Sequence, residues 1–329
     1  MNASSFKKEA GLLLILVLIS AALFVCSLLI GAAAVNPASE QGRWVILELR
    51  LPRTTLAFAV GASLGLAGAV LQSLFRNPLA DPHLTGISAG GAAGVVLASC
   101  VFASWTGFAA WLPVFSAGGS LLTLALVYWL GKRNGVLSVY TLLLAGVMVN
   151  SFLIAMIVFL QSVSRSDEMA GVLFWLLGSL GSASKSDGVM VLAVMVPVFC
   201  VYLVKARALN LLSLGESRAQ SLGVPVEKTK QFLFFLAALL TGAAVSTSGM
   251  ISFVGLIAPH LARLLTGSDY RRLIPASLFL GGSLLMLSDL LARTLFRPQE
   301  IPAGVITSFL GVPFFLWLLK RRESGRGDA

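Results

Sequence analysis

The stretch RNPLADPHLTG (Arg76–Gly86) interrupts two long apolar runs with prolines, charges and polar side chains. A bilayer interior tolerates irregular backbone only where protein or a water-filled cavity surrounds it, because unpaired N–H and C=O groups are costly in hydrocarbon. We predict a structural break here, carried by Asn77, Pro78, Asp81 and Pro82. A simple membrane anchor needs no such break. The stretch therefore indicates a protein that builds a path through the membrane.

A second proline–histidine stretch, FVGLIAPHLAR (Phe253–Arg263), lies far downstream. We predict a second break at Pro259 and His260, with His260 as a capping or packing residue. The tripeptide Pro-His-Leu occurs in both stretches, and the two elements that carry it cross the membrane in opposite senses. This arrangement is typical of inverted repeats, which place a transport pathway at the interface between the repeats. A chance match of three residues is the alternative.

Composition predicts an all-α, polytopic membrane protein. Of 329 residues, 57% are hydrophobic and 12% are charged, and the mean hydropathy is +0.91. Soluble domains carry roughly 25% charged residues. We therefore expect residues 1–329 to form a single transmembrane domain. The first apolar run, Ala10–Val35, is longer than the apolar core of a signal peptide, about 7–15 residues, so we interpret it as a retained span. A cleaved signal ending near Ala32–Ala34 is the alternative.

Apolar runs without charged residues mark the membrane spans, because about 20 apolar residues cross the hydrocarbon. The runs are Ala10–Ala34, Thr54–Phe75, Leu84–Gly131, Asn134–Ser164, Gly188–Val204, Gln231–Ala262, Leu273–Ser288 and Ile301–Leu319. The third run is long enough for two spans, with a turn near Ser104–Pro113, and the sixth divides at Ser246–Gly249. The prediction is ten spans. Met169–Ser184 is apolar but short, and we expect it to lie at the outer surface as an interfacial or re-entrant helix.

The formal net charge of +10 is distributed over loops. With a cytoplasmic N-terminus and alternating spans, the outer cations are Arg43, Arg50, Arg53, Arg165, Lys185, Arg293 and Arg297. They are matched one for one by outer acids, namely Glu40, Glu48, Asp167, Glu168, Asp187, Asp289 and Glu300. All the excess positive charge then lies inside, as the positive-inside rule requires. We predict that both termini are cytoplasmic, and that the charge does not serve nucleic acid binding.

The sequence shows no arrangement that would catalyse a reaction or hold a metal. The only histidines, His83 and His260, have no second ligand at helical spacing, and no Ser-His-Asp set, HExxH or phosphate-binding glycine loop is present. Cys26, Cys100 and Cys200 lie in three different apolar runs, which argues against a disulfide framework and a metal site. We expect a chain without catalytic residues, metal or cofactor.

Ion coupling is also disfavoured. Carriers driven by protons or sodium hold ionisable side chains near the bilayer centre. Asp289 is the only acid inside an apolar run, it lies near the outer end, and Arg293 follows at the i,i+4 spacing of a helical ion pair. The energy source therefore lies outside this chain.

Two other patterns predict packing and partners. Gly61-x3-Gly65 and Gly86-x3-Gly90-x3-Gly94 allow close helix contact, either within one subunit or at a dimer seam. In the loop Lys205–Lys230, Ser217–Leu222 can form a short amphipathic helix bounded by glycines. This segment is either a docking site for a soluble partner or an ordinary loop. On the outer face, arginines 50, 53 and 293 are either interface anchors or a basic patch for an acidic partner.

The chain resembles the FecCD family of ABC-importer permeases, which take up iron chelates, haem and cobalamin. The resemblance runs in order through nearly the whole chain. The matching strings are RLPRT (Arg50–Thr54), GASLGLAGAVLQSLFRNPLADP (Gly61–Pro82), LTGISAG (Leu84–Gly90), LLLAG (Leu142–Gly146), FWLLGSL (Phe174–Leu180), SLGESRAQSLGV (Ser213–Val224), ISFVGLIAPHLAR (Ile251–Arg263) and IPAGVITSFLGVPFFLWLL (Ile301–Leu319).

The resemblance implies a type II importer permease with ten helices in the bacterial inner membrane. A second permease copy, two cytoplasmic ATPase subunits that bind ATP and Mg, and a periplasmic binding protein would be its partners. It also implies site residues. Coupling to the ATPase would involve Leu214, Gly215, Glu216, Ser217, Arg218, Ala219, Gln220, Ser221, Leu222 and Gly223. Docking of the binding protein would involve Arg50, Arg53 and Arg293. The inner gate and pathway would involve Ser138, Tyr140, Thr141 and Asn150.

The expected cargo is a metal chelate, either a ferric siderophore or haem, because these are the commoner substrates of the resembling family. A cobalamin importer is the alternative. Two interpretations are more remote: an ion-coupled secondary transporter, and a membrane scaffold that transports nothing. Association with an ATPase would separate the three classes.

Overall fold

The computed structural model describes residues 3–33, 35–102, 111–133, 136–163 and 176–324. The described chain is helical apart from loops and one minimal hairpin, in which Lys132–Arg133 pairs antiparallel with Val136–Leu137. The α-helices are α1 Ala3–Leu29, α2 Glu40–Trp44, α3 Leu51–Leu74, α4 Ile87–Phe102, α5 Leu112–Gly131, α6 Val139–Val163, α7 Lys185–Val204, α8 Ala206–Ser213, α9 Glu216–Ser221, α10 Val226–Ser248, α11 Val254–Thr266, α12 Tyr270–Thr294 and α13 Ala303–Ser324. A π-helical segment, Val45–Arg50, joins α2 to α3, and a 3₁₀ turn, Pro82–Thr85, precedes α4.

The predicted all-α membrane bundle is confirmed. Within the described ranges, seven helical segments are long and apolar enough to cross a bilayer, and α4, α11 and α13 contribute shorter apolar stretches. Together these match the ten predicted membrane segments. Residues 103–110, which hold most of the turn predicted at Ser104–Pro113, lie outside the described residues. So do residues 169–175, the first part of the interfacial helix predicted at Met169–Ser184.

Helix α3 lies at the centre of the bundle and packs against α7, α10, α11 and α12. Its sequence is rich in alanine, leucine and glycine, and Pro52 stands in its first turn, where the missing N–H would be unpaired anyway. Nearly all its side chains are buried, including Leu56, Leu64 and Leu66. Since lipid tails are as apolar as leucine, this packing depends on close van der Waals contact rather than on the hydrophobic effect.

Glycines allow that contact. A Cβ at Gly61 or Gly65 of α3 would overlap the backbone carbonyls of Gly281 and Ser277 of α12. Helices α4 and α5 meet in the same way at Gly119, where a Cβ would overlap a carbonyl of α4. The close approach predicted from the small-residue spacing is therefore confirmed at these contacts, and both contacts lie within one chain.

The first predicted break is confirmed. Helix α3 ends at Leu74, and Arg76 adopts a left-handed conformation with φ of 46°. Asp81 then caps the 3₁₀ turn by accepting a hydrogen bond from the backbone N–H of His83 at 2.7 Å. Gly86, with φ of 77°, ends the turn and allows α4 to begin. The 3₁₀ turn is thus stabilised by a cap at its start and by a glycine suited to positive φ at its end.

The second predicted break is wrong in its position. Pro259 and His260 lie inside α11, and the chain instead breaks upstream, between Gly249 and Phe253, close to the division predicted at Ser246–Gly249. A proline inside a helix frees the carbonyl four residues earlier. Here that carbonyl belongs to Gly255, and it faces Gly68 of α3 so closely that a Cβ there would overlap it. The helix continues because a neighbouring helix covers the freed group.

His260 is a packing residue. It is buried, and its ring lies edge-on to Phe314 and Phe315 of α13, with centroids 6.0 and 6.2 Å away. The two Pro-His-Leu tripeptides therefore occupy different local structures, one in a 3₁₀ turn and one in a helix. The tripeptide alone does not mark equivalent positions of a repeat.

Candidate functional site

The two observed breaks, one after α3 and one between Gly249 and Phe253, meet inside the bundle. His83 of the first break donates a hydrogen bond from Nε2 to the backbone carbonyl of Ile251 in the second. Beside it, Pro82 packs against Gly255, where an added Cβ would lie 2.6 Å from the proline Cδ. Because Gly255 faces Gly68, about two turns before the end of α3, the chain after α3 turns back to this depth before α4 begins.

Polar side chains around the breaks satisfy the backbone. Gln72 Nε2 donates to the carbonyl of Leu256 at 3.4 Å, and the side chain of Asn77 accepts from the N–H of Leu79 at 2.9 Å. The bilayer tolerates irregular backbone when protein covers it in this way. The breaks therefore position α11 against α3, and α4 against α5, α6 and α10.

Helix α9 is the predicted short helix of the long loop, and it begins one residue earlier than expected, at Glu216. Gly215 and Gly223 bound it with φ of 125° and 83°. Ala219 faces inward and is fully buried, whereas Leu214 and Leu222 are 57% and 60% exposed. The remaining residues assigned to coupling are exposed, namely Ser217, Arg218, Gln220 and Ser221. The helix thus has one anchored face and two exposed leucines at its ends.

An ion-pair cluster holds α9 to the transmembrane helices. Lys230 of α10, whose side chain is only 4% exposed, places Nζ 3.1 Å from Glu216 and 2.7 Å from Glu227. Arg76, in the first break, lies 3.9 Å from the other carboxylate oxygen of Glu216. Glu216 therefore connects α9 both to α10 and to the end of α3.

A second polar contact joins the same loop to α12. Asn210 of α8 donates to Asp269 at 2.7 Å and accepts from the N–H of Tyr270 at 2.9 Å. Asp269 also caps α12 by accepting from the N–H of Arg271. Burial pushes the pKa of Asp269 upward, but these hydrogen bonds and the charges of Arg271 and Arg272 outweigh it and lower the pKa. Sequence reasoning missed this contact, since Asn210 and Asp269 are far apart in the chain.

Among the arginines predicted to lie outside, Arg50 is turned into the bundle. The Arg50 guanidinium donates to the carbonyls of Leu28 at 3.0 Å, Leu29 at 2.7 Å and Ala33 at 2.7 Å. The end of a helix leaves such carbonyls without partners, so Arg50 acts as a cap for α1. Arg50 is buried. Of the two predicted alternatives, this geometry fits the structural anchor, and a docking role for Arg50 stays a prediction.

Arg53 and Arg293 share one buried carboxylate. Asp289 is fully buried and lies 2.9 Å from Arg53 and 3.0 Å from Arg293, which confirms the predicted i,i+4 pair. Arg293 is itself buried and donates to Ser27 at 2.6 Å, whereas Arg53 reaches the exposed Glu300 at 2.7 Å. Of the three arginines, only Arg53 extends to the outer surface through its pair.

The residues predicted to form the inner gate lie at the start of α6. Ser138 Oγ accepts hydrogen bonds from the backbone N–H of Thr141 at 3.3 Å and from its hydroxyl at 2.9 Å, so Ser138 caps the helix. Tyr140 is 76% exposed. Asn150 lies about three turns along the helix, and its backbone N is 3.5 Å from the Cβ position of Gly86 at the first break. A gating role for these residues stays a prediction.

The match to a known family covers nearly the whole bundle. The sequence model of the FecCD transport family matches residues 12–321. The chain belongs to the FecCD transport family. The match includes both breaks, α9 and the outer arginines, so the features described above are part of the family region.

Relatives and a solved structure agree with this assignment. The chain is 40% identical to the hemin transport system permease protein HmuU of Yersinia pestis, over 88% of each chain. It is 42% identical to the cobalamin import system permease protein BtuC of Halobacterium salinarum, over 86% of this chain and 75% of that one. A structure described as an inward-facing conformation of a putative metal-chelate type ABC transporter superposes with a TM-score of 0.86 at 32% identity, covering 95% of this chain and 99% of that chain.

Proposed function

We propose that this FecCD-family chain is the membrane permease subunit of an importer driven by ATP hydrolysis in separate subunits. The proposal is based on the geometry of helix α9. It is a short helix with two exposed leucines at its ends, and ion pairs fix it to α10 and to the end of α3. A partner that docks on this helix would cover Leu214 and Leu222 and contact the exposed polar side chains between them.

The proposed assembly contains two permease copies, two cytoplasmic ATPase subunits and a periplasmic binding protein, in the bacterial inner membrane with both termini cytoplasmic. ATP and Mg²⁺ are bound by the ATPase subunits. When those subunits close, α9 is displaced as a rigid element, because the ion pairs of Glu216 prevent it from moving alone. The displacement then reaches α10 and the paired breaks, and the permease changes between inward- and outward-open states.

The outer surface is the proposed docking site for the binding protein. Arg53 and Glu300 form its accessible part, and Arg50 and Arg293 stabilise it from beneath. An acidic residue of the binding protein would compete with Glu300 for Arg53. Complementary charge of this kind mainly affects association rate and register.

The proposed cargo is a metal chelate, either a ferric siderophore or haem, and cobalamin is the second candidate. The relative named for hemin transport and the relative named for cobalamin import are similarly close, at 40% and 42% identity. The superposition on a transporter described as putative metal-chelate type fits both cargoes, since cobalamin is itself a metal chelate. Mass spectrometry of the ligand that co-purifies with the cognate binding protein would decide between the two cargoes.

The coupling role of α9 is tested by replacing Leu214 and Leu222 with serine in the permease reconstituted with its ATPase. We expect substrate-stimulated ATP hydrolysis to fall at least severalfold, because the partner would lose its apolar contacts. The thermal midpoint of the purified variant should stay near that of the wild type, since both side chains are exposed. Scrambling residues 215–222 should abolish stimulation. Unchanged stimulation in both variants would contradict the proposal.

A further inference from the structure

A groove between α5 and α10 has no role in the transport proposal. Its volume is about 530 Å³, within the range of about 300–1,000 Å³ typical of small-molecule pockets. Apolar side chains dominate the lining, namely Leu121, Leu124, Ala125, Phe232, Phe234 and Phe235. Several of them are exposed, including Leu121 at 50%, Phe232 at 43% and Phe235 at 48%. On a membrane-spanning segment, such a surface is covered by lipid or by another chain in the membrane.

One end of the groove is basic. Lys228, in the first turn of α10, lines the groove together with Tyr128 and Gln231. Lys132, directly after α5, holds its Nζ 5.6 Å from the centroid of the Tyr128 ring. The end of α5 and the start of α10 lie on the side that the positive-inside rule places in the cytoplasm. The groove therefore opens to the inner leaflet at its basic end.

The acidic side chains near this end are engaged elsewhere. Glu227, beside Lys228 in sequence, lies 2.7 Å from Lys230, and Glu216 lies 3.1 Å from the same Lys230. No acidic residue lines the groove in the described part of the chain. A second groove, of about 450 Å³ between α4, α5 and α6, is also apolar, but none of its lining residues is charged. The two grooves thus differ in charge more than in size.

We propose that the groove between α5 and α10 is a binding site for an anionic phospholipid of the inner leaflet. One acyl chain lies along the apolar walls, and the phosphate group lies between Lys132 and Lys228. Basic pockets between membrane helices on the cytoplasmic side bind anionic headgroups through this combination of apolar and positive surface. The stem of Lys228 lines the groove while its charged end can reach the headgroup region, and Lys132 lies beside the same end, over Tyr128.

The test is retention of lipid by the purified full-length permease, measured by native mass spectrometry after equilibration with either phosphatidylglycerol or phosphatidylcholine. We expect the wild type to retain phosphatidylglycerol preferentially. The double variant Lys132→Gln/Lys228→Gln should lose that preference on the order of tenfold, because two positive charges near the headgroup are removed. Lys205→Gln removes an exposed charge on the same side and away from the groove, and it should behave as the wild type.

Two further measurements, with groove-filling variants and with free glycerol phosphate, identify which part of the lipid is bound. Ala125→Trp fills the groove and should abolish retention of phosphatidylglycerol, whereas Gly118→Trp fills the uncharged second groove and should leave it intact. Free glycerol phosphate should not displace the bound lipid, since it lacks the acyl chain. Displacement by glycerol phosphate would identify a phosphate site instead and overturn the proposal. Equal retention of the two lipids by the wild type would also overturn it, and that comparison needs no variant.

Discussion

Two carboxylates, Asp289 and Asp269, stabilise contacts near opposite ends of the membrane helices of this permease. At the face predicted to be outer, Asp289 is fully buried and pairs with two arginines, one from α3 and one from its own helix. At the face predicted to be inner, Asp269 is partly exposed and caps α12 while binding Asn210. The two carboxylates therefore differ in what their loss should do, because a buried ion pair leaves an uncompensated charge when it is broken.

Replacing Asp289 with asparagine should destabilise the permease by about 3–5 kcal/mol, since Arg53 and Arg293 would lose a buried counter-charge. The measurement is the thermal or denaturant midpoint of the purified protein. Glu300→Gln is the matched control. Its side chain is 40% exposed, and the loss should be at most about 1 kcal/mol. Equal effects of the two substitutions would contradict the role of Asp289.

Asp269→Ala should cost about 1 kcal/mol through the lost helix cap, whereas Asp269→Asn keeps the cap and loses only the charge, about 0.3–1 kcal/mol. The pKa of Asp269 is lowered in the folded state, so its stabilising charge is fully present above the unfolded pKa and is lost as the pH falls through the folded one. Unfolding midpoints measured from neutral to acid pH should therefore show the wild type converging on Asp269→Asn. A constant difference at all pH values would contradict this account.

At the scale of elements, contacts between helices decide where the chain can be irregular. The freed carbonyl of Gly255 lies against Gly68, so Pro259 can lie inside α11 without breaking it. The first break depends on local residues instead, with Asp81 as a cap and Gly86 at positive φ. Helix α9 is held by Glu216, which reaches both α10 and Arg76.

Gly68→Ala should destabilise the permease by about 1–3 kcal/mol, because the new Cβ would overlap the backbone carbonyl of Gly255 and backbone cannot move aside cheaply. Gly118→Ala in α5 is the matched control. Its Cβ would meet nothing within 4 Å, so it should be neutral or stabilising by up to about 1 kcal/mol. Thermal midpoints in the same detergent would check both. A Gly68→Ala variant as stable as Gly118→Ala would contradict the packing described for α3 and α11.

For the whole molecule, sequence predicted those features that depend on local spacing. The apolar runs predict the bundle, the polar prolines predict the break at Asn77–Pro82, and the spacing of Asp289 and Arg293 predicts their pair. Contacts between distant residues could not be predicted. Arg53 and Asp289 are 236 positions apart, and nothing local in Arg50 shows that it caps α1. The break predicted at Pro259 is wrong for the same reason, since the helix can contain this proline only because Gly68 lies against the freed carbonyl of Gly255.

We propose that this permease has no energy source of its own and that ATPase subunits bound at α9 switch its conformation. The most direct test is uphill uptake of the chelate into sealed vesicles that contain the permease with or without its ATPase, with binding protein and substrate on the outer side. We predict accumulation only when the ATPase and ATP are both present, and none from a proton or sodium gradient alone. Accumulation by the permease alone, driven by such a gradient, would contradict the claim.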